Sequence, residues 1–432
     1  MKKENYAAQS EKEMAEKQTQ KQTKQEIACE YLRENYIDFD RIRYDEIAQK
    51  VQIRDEAGWR YITDADINTI VCDCCYESGK NVSTKEIMTV LKAGRTYIPH
   101  VHPLREYVHS RKPYYTDKID FIDMVAKSVT LKSPEDASEE ECERLHDRWR
   151  ACFKMWFVAM VASWLDDEVV NHHVLVLVGK QGIYKTTFLE YLLPPELRHY
   201  CCKLANTSQL NKDDRFRLAE FGLIILDELD AMSPREVNVM KSVITASDVN
   251  ERAAWGYVKE RRMRLASFCA SCNNRYFLSD ITGNRRWLPF EVEDVRDPRM
   301  TFNEHIYNGM YAQALEMIEN GFQYWFDKDE IAVIEQHNED FRARESEEEL
   351  LSVYLDVPAE DAQNAQKLTT AEIAEKLTTL GNLRYKIPNN RLGMLLSQRG
   401  FKPVRFGTPR RRGWLVYVKE ADQVNNERGI LG

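Results

Sequence analysis

Five consecutive aliphatic residues, Val174–Val178, run straight into Gly179-Lys180-Gln181-Gly182-Ile183-Tyr184-Lys185-Thr186-Thr187 and then into FLEYLL. An apolar run without polar alternation is a strand buried on both faces, which requires a sheet covered on both sides. The junction is therefore strand, glycine loop, helix, the context of a phosphate-binding loop. Gly179 and Gly182 let the backbone turn its N–H groups toward an anion. Lys185 is placed for the β- and γ-phosphates of a nucleotide, the Thr186 hydroxyl for Mg²⁺, and Thr187 follows as a further binding residue. One position departs from the pattern GxxxxGK[ST]: Tyr184 stands where the second glycine belongs. Its ring must point away from the nucleotide, and its backbone must adopt a conformation that glycine takes more easily.

About forty residues on, Leu223–Leu226 is a second apolar strand ending in Asp227-Glu228. The pattern is that of a Walker B motif. Asp227 would hold Mg²⁺ through water, and Glu228 would orient or deprotonate the attacking water. A third strand, Leu265–Ser271, leads to Cys272-Asn273-Asn274. A polar side chain there can reach the γ-phosphate, with Asn273 favoured over Asn274. Beyond lies Gly283-Asn284-Arg285-Arg286-Trp287, whose arginines read by residue type alone as surface salt-bridging groups or as an arginine finger.

Strands alternating with helices over residues 150–300 predict an α/β core with a mainly parallel sheet. Residues 1–26 form a polar tail, 27–98 a small α+β domain, and 99–149 a helical bridge. Residues 301–366 are a helical segment with an acidic linker, and 367–432 a basic domain of winged-helix type. The start of the chain lacks the apolar core of a secretory leader, and no apolar stretch is long enough to span a bilayer. With ten irregularly spaced cysteines, a cytoplasmic chain with reduced thiols and no membrane partner is expected. Cys269 and Cys272 form a CxxC without a second ligand pair, which reads as strand packing rather than zinc.

The net charge of −9 excludes a uniformly basic, DNA-coating protein but hides two concentrated basic segments. In the first, Arg252, Lys259, Arg261, Arg262 and Arg264 are interleaved with Trp255 and Tyr257. Cations among stacking aromatics suit a single-stranded nucleic acid track. In the second, Gly381–Lys419 carries ten Lys/Arg and no Asp/Glu. Two helices, the second bearing Arg391, precede a hairpin whose turn carries Arg410, Arg411 and Arg412 for phosphate contacts. A protein-docking module is the alternative for this domain.

The order GKQGIYKTT, LIILDELD, CASCNN, SDITGNRRWLPFEV resembles the virulence-associated E family of P-loop ATPases, similar to superfamily 3 helicases of phages and mobile elements. HPLREYV at His102–Val108 and the run from Val237 to Arg264 share the resemblance, which covers about residues 100–330. It implies an AAA+-like core using ATP and Mg²⁺, and an oligomeric, hexamer-like ring in which Arg285 or Arg286 reaches a neighbour's site. It further implies that the 252–264 segment faces a central pore. The function expected is an ATP-dependent DNA helicase or translocase acting on single-stranded or forked DNA, with replication proteins as possible partners. An ATP-switched initiator, helicase loader or remodeller, and a weakly active P-loop scaffold, remain the alternatives.

Overall fold

A computed structural model describes residues 22–56, 58–134, 137–204, 215–229, 234–251, 260–278, 284–342, 346–358, 365–380, 387–408 and 410–419. They fall into two compact units: Met1–Arg275 with Gly283–Asn338, and Tyr276–Thr282 with Glu339–Gly432. The mixture of helices and several separate sheets agrees with the mixed α/β class expected from the sequence.

The first unit opens with α1 (Lys24–Leu32), the strands β1 (Ile42–Asp45), β2 (Lys50–Asp55) and β3 (Gly58–Tyr61), then α2 (Asp64–Ser78) and α3 (Thr84–Leu91). Thr63 caps α2 and Ser83 opens α3, each with an acid three residues into the helix that closes a capping box. With β4 (His100–Val101) the strands form a sheet of order β3-β2-β1-β4. Ile27, Leu32, Ile42, Val51, Ile70, Ile87 and Ile98 belong to a core of this head alone.

Residues 99–149, expected as a bridge, contribute α4 (Pro103–Arg111), α5 (Phe121–Ala126), β5 (Val129–Leu131) and the start of α6 (Glu139–Leu165). Their apolar residues Leu104, Val108, Phe121 and Val125 lie in the same core as the main sheet. The main sheet is built from β6 (Val174–Val178), β7 (Cys201–Leu204), β8 (Leu223–Leu226), β11 (Ser267–Cys272) and β12 (Trp287–Val295), in the order β5-β12-β6-β11-β8-β7. Only β5 is antiparallel to its neighbour. The strands β6, β8 and β11 are buried at every residue, as a covered parallel sheet requires.

Helix α6 anchors this sheet through three tryptophans whose spacing of seven and eight residues puts them on one helical face. Their indole N–H groups donate to the carbonyls of Ala126, Phe268 and Gly222 at 2.9, 3.0 and 3.2 Å. Further elements of this unit include α7 (Lys185–Tyr191), α8 (Pro234–Thr245), the hairpin β9 (Asp248–Glu251) and β10 (Glu260–Met263), α9 (Glu304–Glu319) and α10 (Lys328–Asn338). The head joins the main sheet through Asp45, fully buried, whose carboxylate accepts from Tyr61 at 3.0 Å, from Tyr200, and from the Ile47 amide at 2.9 Å.

The second unit contains α11 (Ser346–Tyr354), β13 (Leu355–Asp356), β14 (Gln366–Leu368), α12 (Thr370–Leu380), α13 (Asn389–Gln398), β15 (Pro403–Phe406) and β16 (Arg411–Val418). β16 pairs antiparallel with β13, β14 and β15. Leu351, Ile373, Leu377, Leu392, Leu396 and Val416 form its core.

Candidate functional site

The loop after β6 is held from both ends. The Gly179 amide donates to the Cys272 carbonyl at 3.0 Å, extending the β6–β11 ladder into the loop. Gly179 packs against the backbone of β12, and a Cβ there would collide with the Val292 carbonyl oxygen. Gly182 has φ +88°, open to glycine at no steric cost. Tyr184 also adopts a left-handed backbone, φ 63° and ψ 14°. Its half-exposed ring lies 5.7 Å from the Arg299 guanidinium, a cation–π contact. Lys185 opens α7, and its buried ammonium donates to the carbonyls of Gly179 at 2.7 Å and Lys180 at 2.6 Å, and to Asn273 Oδ1 at 3.2 Å.

Three adjacent parallel strands bring the rest together. The Thr186 hydroxyl donates to Asp227 Oδ1 at 3.0 Å and lies 3.1 Å from the Ser271 hydroxyl. Ser271, buried on β11, donates to the same carboxylate oxygen. The Asp227 amide continues the β8–β7 ladder through the Leu204 carbonyl at 3.0 Å, so its carboxylate springs from fixed backbone. Glu228 follows with φ 55°, a conformation that costs a non-glycine residue about 1–2 kcal/mol and that clusters at functional sites. Gln181, Gly182, Tyr184, Lys185, Thr186, Thr187, Asp227, Glu228, Ser271 and Asn273 line one cavity of about 330 Å³, at the carboxyl ends of β6, β8 and β11. A crevice at the carboxyl ends of parallel strands is where open α/β sheets bind ligands. Its oxygen donors, Thr186, Asp227 and Glu228, suit a hard cation held mainly by one or two carboxylates and substrate phosphates.

Arg285 and Arg286 lie elsewhere. They precede β12, whose Trp287 sits opposite Val174 and whose Glu291 sits opposite Val178. They therefore occupy the edge of the sheet where β6 begins, roughly 15 Å along the strands from the loop at its other end. Arg285 is exposed and Arg286 half-buried. Burial and the charge of Arg285 lower the Arg286 pKa, and burial and Arg286 lower that of Lys241. Burial, His172, Arg286 and Arg285 push His173 down to about 4. This edge concentrates positive charge.

The first basic segment is corrected in part. Arg252, Trp255, Tyr257 and Lys259 lie outside the described residues. Arg261 is exposed on β10 and pairs with Asp248. Arg262, expected to touch nucleic acid, points inward: its side chain is 11% exposed and bonds Glu220 at 3.1 Å and the Ile47 carbonyl at 2.6 Å. Arg264 is buried, donating to carbonyls that include Ala266 and Asn171 at 2.9 and 3.0 Å. In the second unit, Arg410, Arg411 and Arg412 are exposed and Arg391 is half-buried on α13. Arg411 lies 3.5 Å from Glu372. Sequence reading missed Arg405, exposed and paired directly across the hairpin from Arg412. It also missed Ser271, which no local pattern distinguishes from a packing residue.

Residues 140–343 match the virulence-associated protein E-like domain. The matched domain contains β6, β8, β11 and β12 and every residue lining the cavity. It leaves the head and most of the second unit unmatched. No curated protein matches the chain. Among solved structures, the apo structure of NrS-1 C terminal region (305-718) is 10% identical, with 88% of this chain and 96% of that chain covered and a TM-score of 0.43. The A form apo structure of the same region gives the same identity and coverage with a TM-score of 0.41. Scores this low do not establish a common fold. Among the described residues, no helix is long and apolar enough to cross a membrane.

Proposed function

We propose that the virulence-associated E-like domain is a P-loop ATPase of superfamily 3 type, and that the chain is an ATP-dependent DNA helicase or translocase of a mobile element, working as a ring. The observation that carries this reading is the convergence of Lys185, Thr186, Asp227, Glu228 and Asn273 on one cavity at the ends of three adjacent strands. Lys185 exchanges its loop carbonyls for phosphate oxygens. Thr186 and Asp227 are the residues that would hold Mg²⁺, which when bound neutralises charge on the β- and γ-phosphates. Glu228 takes a proton from water as the water oxygen bonds to the γ-phosphorus and the bond to ADP breaks. Asn273, already hydrogen-bonded to Lys185, reads the γ-phosphate.

Arg285 and Arg286, remote from their own cavity, are available to an adjacent subunit, where an arginine stabilises transition-state charge. In the second unit, the helix–helix–hairpin order supports a winged-helix module. Its exposed Arg405–Arg412 pair is a cross-strand repulsion that a phosphate would relieve. Lys185→Ala and Glu228→Gln are each expected to abolish DNA-stimulated ATP hydrolysis; unchanged turnover in either would overturn the site assignment. Tyr184, anchored on Arg299 in place of a mobile glycine, favours a second reading: an ATP-switched initiator or loader with slow turnover. DNA-stimulated hydrolysis without strand displacement on a forked substrate would select it.

A further inference from the structure

We propose that Ser271 is a positioning residue of the cation site, a role that rests on the ATPase reading above. The Thr186 hydroxyl has one proton, and it can offer a lone pair to a cation only if that proton points backward to an acceptor. Two acceptors are in reach, Asp227 Oδ1 at 3.0 Å and Ser271 Oγ at 3.1 Å. Ser271 gives its own proton to Asp227 Oδ1, so it fixes the rotation of that carboxylate while bracing the threonine. Ser271 is itself set within the sheet: it is 4% exposed and lies on β11, in register with Leu177 of β6 and one residue beyond the Ala270–Leu226 pair with β8. The strand inserted between the loop strand and the acidic strand thus supplies a hydroxyl that ties the two halves of the site together. Residues that orient metal ligands in this way are worth roughly 10–100-fold in metal affinity.

The test is nucleotide binding on the full chain, titrating a fluorescent ATP analogue with Mg²⁺ and with EDTA, for wild type, Ser271→Ala, Ser271→Thr and Lys185→Ala. In Ser271→Ala the tightening produced by Mg²⁺ should shrink by about tenfold or more. The affinity measured in EDTA, which also reports folding, should stay at the wild-type value. Ser271→Thr, which keeps the hydroxyl, should restore the Mg²⁺ response. A wild-type Mg²⁺ response in Ser271→Ala overturns the role of Ser271 alone. Equal loss in Mg²⁺ and EDTA also overturns it, because the serine would then be packing the strand. Binding that is absent from wild type, or unaffected by Lys185→Ala, overturns the ATPase reading and this role with it.

Discussion

Gly179 has no room for a side chain, because the carbonyl of Val292 on the neighbouring strand occupies the space a Cβ would take. Gly179→Ala should therefore destabilise the first unit by about 1–3 kcal/mol, as overpacking of a close contact does. The urea midpoint measures this, and an unchanged midpoint would mean that β12 yields without cost. Tyr184 poses a different problem, since its backbone is left-handed without being glycine and its ring meets the Arg299 guanidinium at 5.7 Å. The departure from the glycine pattern was legible in the sequence. The cation that receives the ring was not, because Arg299 belongs to a distant segment and only folding brings it near. Ser271 and Thr186 likewise meet only through strand order.

The hairpin of β9 and β10 shows why charge at the level of an element misleads. A run of arginines among aromatics reads as a nucleic acid track, yet Arg262 and Arg264 serve carbonyls and an acid inside the protein. Arg262→Ala should lower stability by about 1–3 kcal/mol through lost hydrogen bonds to a charged group. It should leave the salt dependence of DNA affinity unchanged. Replacing Arg410, Arg411 and Arg412 together by alanine should do the reverse. Melting temperature should hold, while the slope of log affinity against log salt falls by about 2–3. Binding curves at several salt concentrations, alongside thermal melts, separate the two elements. The same slope in all three proteins would remove the second unit from the DNA-binding reading.

For the whole molecule, the decisive relation is between the two edges of the main sheet. The cavity occupies the edge where the strands end and the arginine pair the edge where they begin, an arrangement suited to head-to-tail assembly, in which one subunit completes the next. Lys185→Ala and the double variant Arg285→Ala/Arg286→Ala should each be inactive alone. Mixed in equal amounts and allowed to exchange, they should recover about a quarter of wild-type hydrolysis, the fraction of neighbours that pairs an intact loop with an intact arginine. An inactive mixture would place the arginines' role within their own subunit or outside catalysis.

The sequence by itself determined the local chemistry. An aliphatic run must be a covered strand, glycines followed by lysine and threonine make a tight strand-to-helix turn, and two acids close a second strand. These are short-range consequences of side-chain type and backbone freedom. Tertiary structure decided what depends on adjacency between distant segments. It set β11 between β6 and β8, so that Ser271 bridges Thr186 and Asp227. It packed Leu104, Val108, Phe121 and Val125 into the same core as the main sheet. It also turned Arg262 inward. A guanidinium has the same composition on a surface as in a core, and only the acceptors that surround it after folding fix which it becomes.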